Sequence, residues 1–364
     1  MLAVLSGGGT AGHINPALAL AEVLAERGCD VRFAGTPTGV EARLAREAGL
    51  PFQPFEAAGF NRSHPTSLVK GMAKIEKSTI AAKKWFRDIE PDVVVGFGGY
   101  VCIPVSRAAE GLGIPVVVHE QNSVMGMANK YLARRAKAVC VTYECSAASV
   151  ADRAKVHVTG NPVRRRVLES TRAEGRALLG IPEGATMLLV FGGSLGARHI
   201  NQAVCALKDD LLAHDGLHVV HITGPRELDD VRAALALAPD EEARWHLFGY
   251  QDRMGETMAA TDAIVSRAGA TSLAEIAARG IPALLVPFPH ATDDHQTTNA
   301  RAYVDSGAAF MVADADVEGP EFARLVGTLV EDADVRARMA AAARALGAQD
   351  AAARLADVVM AAAR

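Results

Sequence analysis

Residues 7–13 read GGGTAGH, directly after the apolar run 2–5 and at the start of a stretch with helical periodicity. Taken as Gly7-x-Gly9-x-x-Gly12, the turn fits a strand–turn–helix unit whose backbone N–H groups face the phosphate oxygens of a ligand. Asn15 is a candidate N-cap, Pro16 suits the first helical position and Gly28 suits the C-cap. An NAD site would also want an acid at the end of the second strand, to hold the ribose hydroxyls. Here that strand, 31–34, ends in Gly35-Thr36, and Asp30 lies at its start. This argues against NAD. What remains is another diphosphate beside His13, or a tight turn with no ligand.

The same plan extends outward. Strand candidates at 2–5, 31–34, 93–95, 116–118 and 138–141 alternate with helical patterns, and so do candidates at 187–191, 218–222, 263–265 and 283–286. Such alternation means parallel sheets with crossover helices. Strand, glycine loop and helix occur at 2–27 and again at 187–212, the second with GGSLGARHIN at 192–201. GNPVRRRV at 160–167 is the linker candidate. The expected fold class is α/β, with two Rossmann-like domains whose parallel sheets face across a cleft. The first is 1–162 and the second 163–364, with a terminal helix near 348–364 that could pack back on the first. Ligands of such sheets bind beyond the carboxyl ends of the strands.

Bulk composition bounds the function. The chain has 364 residues, half of them hydrophobic, enough for two cores. A net charge of −4 offers no global field for nucleic acid. Five scattered cysteines, without a C-x-x-C pair, fit a reducing compartment rather than zinc or a disulfide framework. No apolar run reaches the length of a membrane span, and Met1 leads straight into a strand with no room for a signal peptide. A soluble or peripheral protein is expected.

Polar clusters sit at the strand ends. GFGGY (96–100) is a third glycine loop, and three such loops suggest two phosphate-bearing ligands. HEQN (119–122) places four hydrogen-bonding side chains after a strand. Asn122 is either one of these or the cap of the next helix. SRAGATSLAE (266–275) carries Glu275 four residues after Thr271, on the first turns of a helix, where a carboxylate accepts ribose hydroxyls or simply complements the helix dipole. HQTTNA (295–300) is a further polar helix start. Asp314-x-Asp316 falls after the last strand, away from these motifs, so no metal and no cofactor is expected.

In this order, GGGTAGH, GFGGY, HEQN, GNPVR, GGSLGARHIN, SRAGATSLAE and HQTTNA closely resemble the MurG glycosyltransferases of bacterial peptidoglycan synthesis. The resemblance spans nearly the whole chain. It implies the GT-B fold and transfer of GlcNAc from UDP-GlcNAc to the 4-hydroxyl of MurNAc in lipid I, giving lipid II with inversion. It implicates Thr10, Ala11, Gly12 and His13 in the first loop, with Tyr100, Asn122 and Asn129 nearby. Arg164 corresponds to an arginine that reaches the donor, and Ser194 to a residue on the UDP diphosphate. The nucleotide-contacting segment falls on Ala270, Thr271, Ser272, Leu273, Ala274 and Glu275, with Glu275 on the ribose. Gln296 matches a sugar contact and Gln251 a uracil-contacting backbone position, and Asn201 and Arg267 join the substrate set. Ala11 departs from the family glycine, which is tolerable if its φ is negative. Partners implied are UDP-N-acetylglucosamine, the lipid I acceptor, an anionic membrane surface and other cell-wall synthesis proteins, at the cytoplasmic face of the cell membrane. A nucleotide-sugar epimerase of related fold and a non-catalytic UDP-sugar binding protein are the alternatives.

Inversion needs one in-line displacement with a base for the acceptor proton. Histidine suits that task near neutral pH, which favours His13, with Glu120 and His119 as alternatives. His13 also fits a structural partner of the diphosphate. The segment 67–87 carries Lys70, Lys74, Lys77, Lys83, Lys84 and Arg87 against one acid, Glu76. Leu68, Met72, Ile75, Thr79, Ala82 and Phe86 make its expected core stripe, leaving Val69, Ile80 and Trp85 off that stripe for a membrane surface.

Overall fold

The computed structural model describes residues 1–57, 65–193 and 196–364, and only the backbone of 65–70. Ser194 and the side chains of Leu68, Val69 and Lys70 therefore lie outside the described residues. The chain divides into two units, Met1–Arg164 with Ala348–Arg364, and Arg165–Gly347.

In the first unit seven strands make one parallel sheet: β1 Leu2–Ser6, β2 Asp30–Gly35, β3 Phe52–Pro54, β4 Val93–Gly96, β5 Val116–Glu120, β6 Ala138–Val141 and β7 Val156–Val158. Their order is β3-β2-β1-β4-β5-β6-β7. In the second unit, six strands form another: β8 Thr186–Phe191, β9 Leu217–Ile222, β10 Trp245–Phe248, β11 Ala263–Ser266, β12 Ala283–Leu285 and β13 Ala309–Met311, in the order β10-β9-β8-β11-β12-β13. Strand order reverses between β1 and β4 and again between β8 and β11. At such a reversal the connections leave in opposite directions and open a crevice beyond the carboxyl ends.

Inner strands are covered on both faces, so most of their residues are apolar, without regular alternation. β4 and β6 are buried throughout. The pleat divides β1 between two layers: Ala3 and Leu5 join one core cluster, and Val4 joins the other. The C-terminal helix Ala351–Ala362 inserts Leu355, Ala356 and Val359 into the first of these, beside Leu18 and Phe33.

Helix α1 spans Ala11–Glu26, starting at Ala11 rather than at Pro16 as the sequence suggests. The glycine turn itself initiates the helix: the His13 N–H donates to the Thr10 carbonyl at 3.1 Å, so the ladder begins before the proline. Pro16 lies in the second turn, where its ring removes one donor. Ala11 is thus helical and outside the positive-φ residues. Gly28 does take the left-handed conformation after the last turn, φ 76°.

Further helices of this unit are α2 Val40–Glu47, α3 Pro65–Ile89, α4 Cys102–Glu110 and α5 Met127–Leu132. α3 corrects the expected stripe. Ile75, Thr79, Ala82 and Phe86 are buried, but Met72, expected in the stripe, is 59% exposed; Ile80, expected off it, is 63% exposed. Trp85, expected to be left over, packs on Phe55 at 5.7 Å and on Phe86 at 5.2 Å between ring centroids. Lys74, Lys77, Lys84 and Arg87 are exposed, and Lys83 is half-buried. Among the described residues, no helix is long and apolar enough to cross a membrane.

Candidate active site

In the first unit, three turns leave the carboxyl ends of the adjacent strands β1, β4 and β5: residues 7–13, 97–101 and 121–126. The first two pack together with no room for side chains. A Cβ on Gly99 (φ 84°) would collide with the Gly8 carbonyl, and one on Gly98 (φ 103°) would stand 3.1 Å from His13 Nε2. Glycine is required at both by conformation and by contact. His13 lies across this junction. Its Nδ1 is 2.8 Å from the Gly8 carbonyl oxygen. A carbonyl only accepts, so Nδ1 carries the hydrogen and, in the neutral ring, Nε2 keeps the lone pair. Thr10 is exposed, Ala11 and Gly12 are half-buried, and Tyr100 is 40% exposed.

His119 and Glu120 end β5 and are both buried. His119 Nε2 meets the Gly160 carbonyl at 3.0 Å, and Gln121 Nε2 meets its Nδ1, also at 3.0 Å. One ring nitrogen therefore donates and the other accepts. Burial lowers this imidazole to about 4, against the opposing pull of the Gly160 carbonyl and Glu120. Glu120 accepts four hydrogen bonds. The Asn122 N–H (3.0 Å) and Nδ2 (3.1 Å) reach Oε1, while the Gly126 N–H (3.0 Å) and Asn129 Nδ2 (2.8 Å) reach Oε2. The carboxylate thereby shapes the loop that carries Asn122 and anchors Asn129. Arg164 pairs with Glu22 of α1 at 2.5 Å. Glu22 is nine residues beyond His13, about 13 Å along the helix at 1.5 Å per residue, so this pair is apart from the loop cluster.

One feature of the first unit escapes sequence reading. Glu41 of α2 is wholly buried, and its Oε1 accepts from Thr36 N–H (3.0 Å) and Thr36 Oγ1 (2.5 Å). An acid therefore does occupy the end of β2, supplied from the next helix. A Cβ on Gly8 would lie 2.6 Å from that same oxygen, so the carboxylate backs the first glycine turn instead of facing a ligand.

In the second unit, Gly192 and Gly193 follow β8, and the helix Arg198–Ala206 begins just after them. Asn201 is buried. Its Nδ2 donates to the Thr223 carbonyl (3.0 Å) and its Oδ1 meets His221 Nε2 (3.1 Å), which ties this helix to the end of β9. The helix Ala270–Arg279 follows β11 with Gly269 at its N-cap. Ala270, Thr271 and Glu275 are nearly buried, Ser272 and Ala274 half-buried, and Leu273 is core. Gln251 Oε1 accepts from the Arg253 N–H (3.0 Å).

Arg267 and Gln296 lock two strand ends together. Gln296 Oε1 accepts from the Ala268 N–H (3.2 Å) and the Phe288 N–H (2.9 Å). Arg267 Nη1 donates to the Val286 and Pro287 carbonyls (3.2 Å each) and to Asp314 Oδ1 (2.5 Å), with the Phe288 ring over its guanidinium. Asp314, expected to lie away from the nucleotide motifs, is therefore central to them. β13 ends close enough for Asp314 to reach Arg267 and His199 across the sheet end, a proximity invisible along the chain. Burial works against its charge, but the bonds from Arg267 and His199 prevail and hold it below the usual aspartate range.

Two parallel sheets, each with glycine turns where its strand order reverses, define the GT-B class of nucleotide-sugar transferase folds. Residues 3–141 match the glycosyltransferase family 28 N-terminal domain and 187–355 its C-terminal domain. A Leuconostoc mesenteroides protein named UDP-N-acetylglucosamine–N-acetylmuramyl-(pentapeptide) pyrophosphoryl-undecaprenol N-acetylglucosamine transferase is 41% identical over 362 residues, 99% of each chain. One of the same name from Halothermothrix orenii is 38% identical over 352 residues, 95% of each. The crystal structure of Acinetobacter baumannii MurG matches with a TM-score of 0.74 at 30% identity, covering 99% of both chains. The chain belongs to the MurG family within glycosyltransferase family 28.

Proposed function

We propose that the chain moves N-acetylglucosamine from UDP-N-acetylglucosamine to the 4-hydroxyl of the N-acetylmuramyl unit of an undecaprenyl-pyrophosphoryl pentapeptide lipid, with inversion. Donor and acceptor are those in the names of relatives that align over 95–99% of its length. The chemical half rests on one observation: His13 has Nδ1 committed to the Gly8 carbonyl and a second nitrogen lying against Gly98 at the switch point. As the acceptor oxygen attacks the anomeric carbon, Nε2 takes its proton. The bond to UDP breaks on the opposite side, and the electron pair leaves on the diphosphate. Backbone N–H groups at the start of the helix Arg198–Ala206 are donors for that charge, with Ser194 and Arg164 as further donors. Glu120 and His119 shape the loop instead, because their lone pairs are already used.

The polyprenyl tail keeps the acceptor in the bilayer, so the reading places the chain at the cytoplasmic membrane face as a peripheral protein. Met72 and Ile80, exposed beside Lys74, Lys77 and Lys84 of α3, support docking there on anionic lipid. The test is UDP release and product analysis with UDP-N-acetylglucosamine and a short-chain acceptor analogue. Absence of acceptor-dependent UDP release sinks the proposal.

A further inference from the structure

The helix Arg198–Ala206 turns its first two side chains to opposite sides. Arg198 pairs with Glu227, beyond β9, at 2.9 Å, while His199 Nδ1 meets Asp314 Oδ2, beyond β13, at 2.6 Å. In the sheet, β9 and β10 lie on one side of β8 and β11, β12 and β13 on the other. His199 therefore faces the side of the β8/β11 reversal, where the helix Ala270–Arg279 also begins. Asp314 is 8% exposed and both of its oxygens are engaged, Oδ1 by Arg267 and Oδ2 by His199. Arg267 is anchored in turn by the Val286 and Pro287 carbonyls. At the end of this chain of fixed groups, the His199 side chain remains 57% exposed. A rigid, buried carboxylate thus orients one accessible imidazole beside the glycine turn that follows β8.

We propose that His199 is a further donor-binding residue, its Nε2 donating to a phosphate oxygen of the nucleoside diphosphate while Asp314 holds Nδ1. The inference rests on the donor reading above. A carboxylate only accepts, so Nδ1 carries one hydrogen. A second proton on Nε2 makes the ring an imidazolium that bonds the diphosphate by a charge-assisted hydrogen bond. The same contact opposes the negative charge that grows on the leaving group, so it strengthens as the glycosyl bond breaks. Asp314 touches no substrate in this scheme. It is a positioning residue, and Arg267 fixes it in place.

Calorimetry on the full chain separates this role from a surface ion pair by comparing UDP with uridine, which has the base and ribose but no phosphate. His199→Ala, at an exposed side chain, is expected to weaken UDP by about 10- to 100-fold, the range of a hydrogen bond to a charged group, and to leave uridine unchanged. Asp314→Asn is expected to act in the same direction and to add nothing further to UDP binding in the His199→Ala background. Unchanged UDP affinity in His199→Ala, or equal loss for UDP and uridine, overturns the inference while parent UDP binding upholds the donor reading. A parent that binds no UDP overturns both.

Discussion

Replacing His13 with alanine tests the chemistry most directly, because the structure separates what the residue does for the fold from what it does for the reaction. For the fold it contributes one half-buried hydrogen bond, from Nδ1 to the Gly8 carbonyl at 2.8 Å. A bond of that kind is worth about 0.5–1.5 kcal/mol, which for a domain of this size moves the melting temperature by roughly 2–4 °C per kcal/mol. For the reaction it is the proposed base, and loss of a positioned base costs about 10²–10⁴ in rate. At 1.36 kcal/mol per tenfold, that is roughly 3–5 kcal/mol of barrier. The two effects differ enough to be read separately. Steady-state turnover with a short-chain soluble acceptor should fall by at least two orders of magnitude. UDP affinity should change little, and the melt should shift by only a few degrees. Turnover within a few-fold of the parent, in a protein that melts normally, would refute the assignment. Glu120→Gln and His119→Gln would then be the next variants, although each breaks several bonds that shape the loop.

Glu275→Ala should weaken UDP and UDP-N-acetylglucosamine alike, by about 1–3 kcal/mol for lost bonds at a nearly buried group; unchanged UDP affinity by calorimetry removes Glu275 from the ribose. Met72→Ser with Ile80→Ser should reduce sedimentation with anionic vesicles, because each buried apolar side chain contributes about 1.5–3 kcal/mol, while turnover on the soluble acceptor is preserved. Equal vesicle binding by parent and variant excludes this face of α3. Burial lowers His119 and His246 to about 4 and His221 to about 3. The unfolded chain takes these protons near pH 6.5 and the folded one refuses them until much lower. Their stabilisation is therefore full above about pH 6.5 and falls as pH drops toward 4, by at most about 1.4 kcal/mol per pH unit for each of the deeply buried His119 and His221 and by less for the partly exposed His246. Urea melts at pH 7 and pH 5 should show it, and equal midpoints would contradict it.

The strands that could be read from the sequence and those that could not differ by position in the sheet. Each of the nine with a mainly apolar run is an inner strand. The four that gave no signal, β3, β7, β10 and β13, are the margins of the two sheets. They are three or four residues long, and Val156–Val158 is largely exposed. A margin strand is paired on one side only and covered incompletely, so nothing forces its residues to be apolar on both faces. The start of α1 is hidden for a related reason. Pro16 is a strong local signal, but the fold of the glycine turn begins the helix upstream of it.

The site divides in the same way. Glycine turns are local chemistry, so their residues stand out in the sequence. Partners are not local: His199 and Asp314 are 115 positions apart, and Arg267 and Asp314 are 47. Glu41 is only five residues from Thr36, yet it puts an acid at the end of a strand that itself ends in Gly-Thr. Residue type alone nominates three groups able to take a proton from the acceptor. Hydrogen bonding ranks them, because a base needs a lone pair that nothing else occupies. His119 spends one nitrogen on a carbonyl and the other on an amide, and Glu120 spends both oxygens on four donors. Among the described residues, His13 alone of the three is tied by a single nitrogen, and that tie fixes its tautomer with the lone pair on the other.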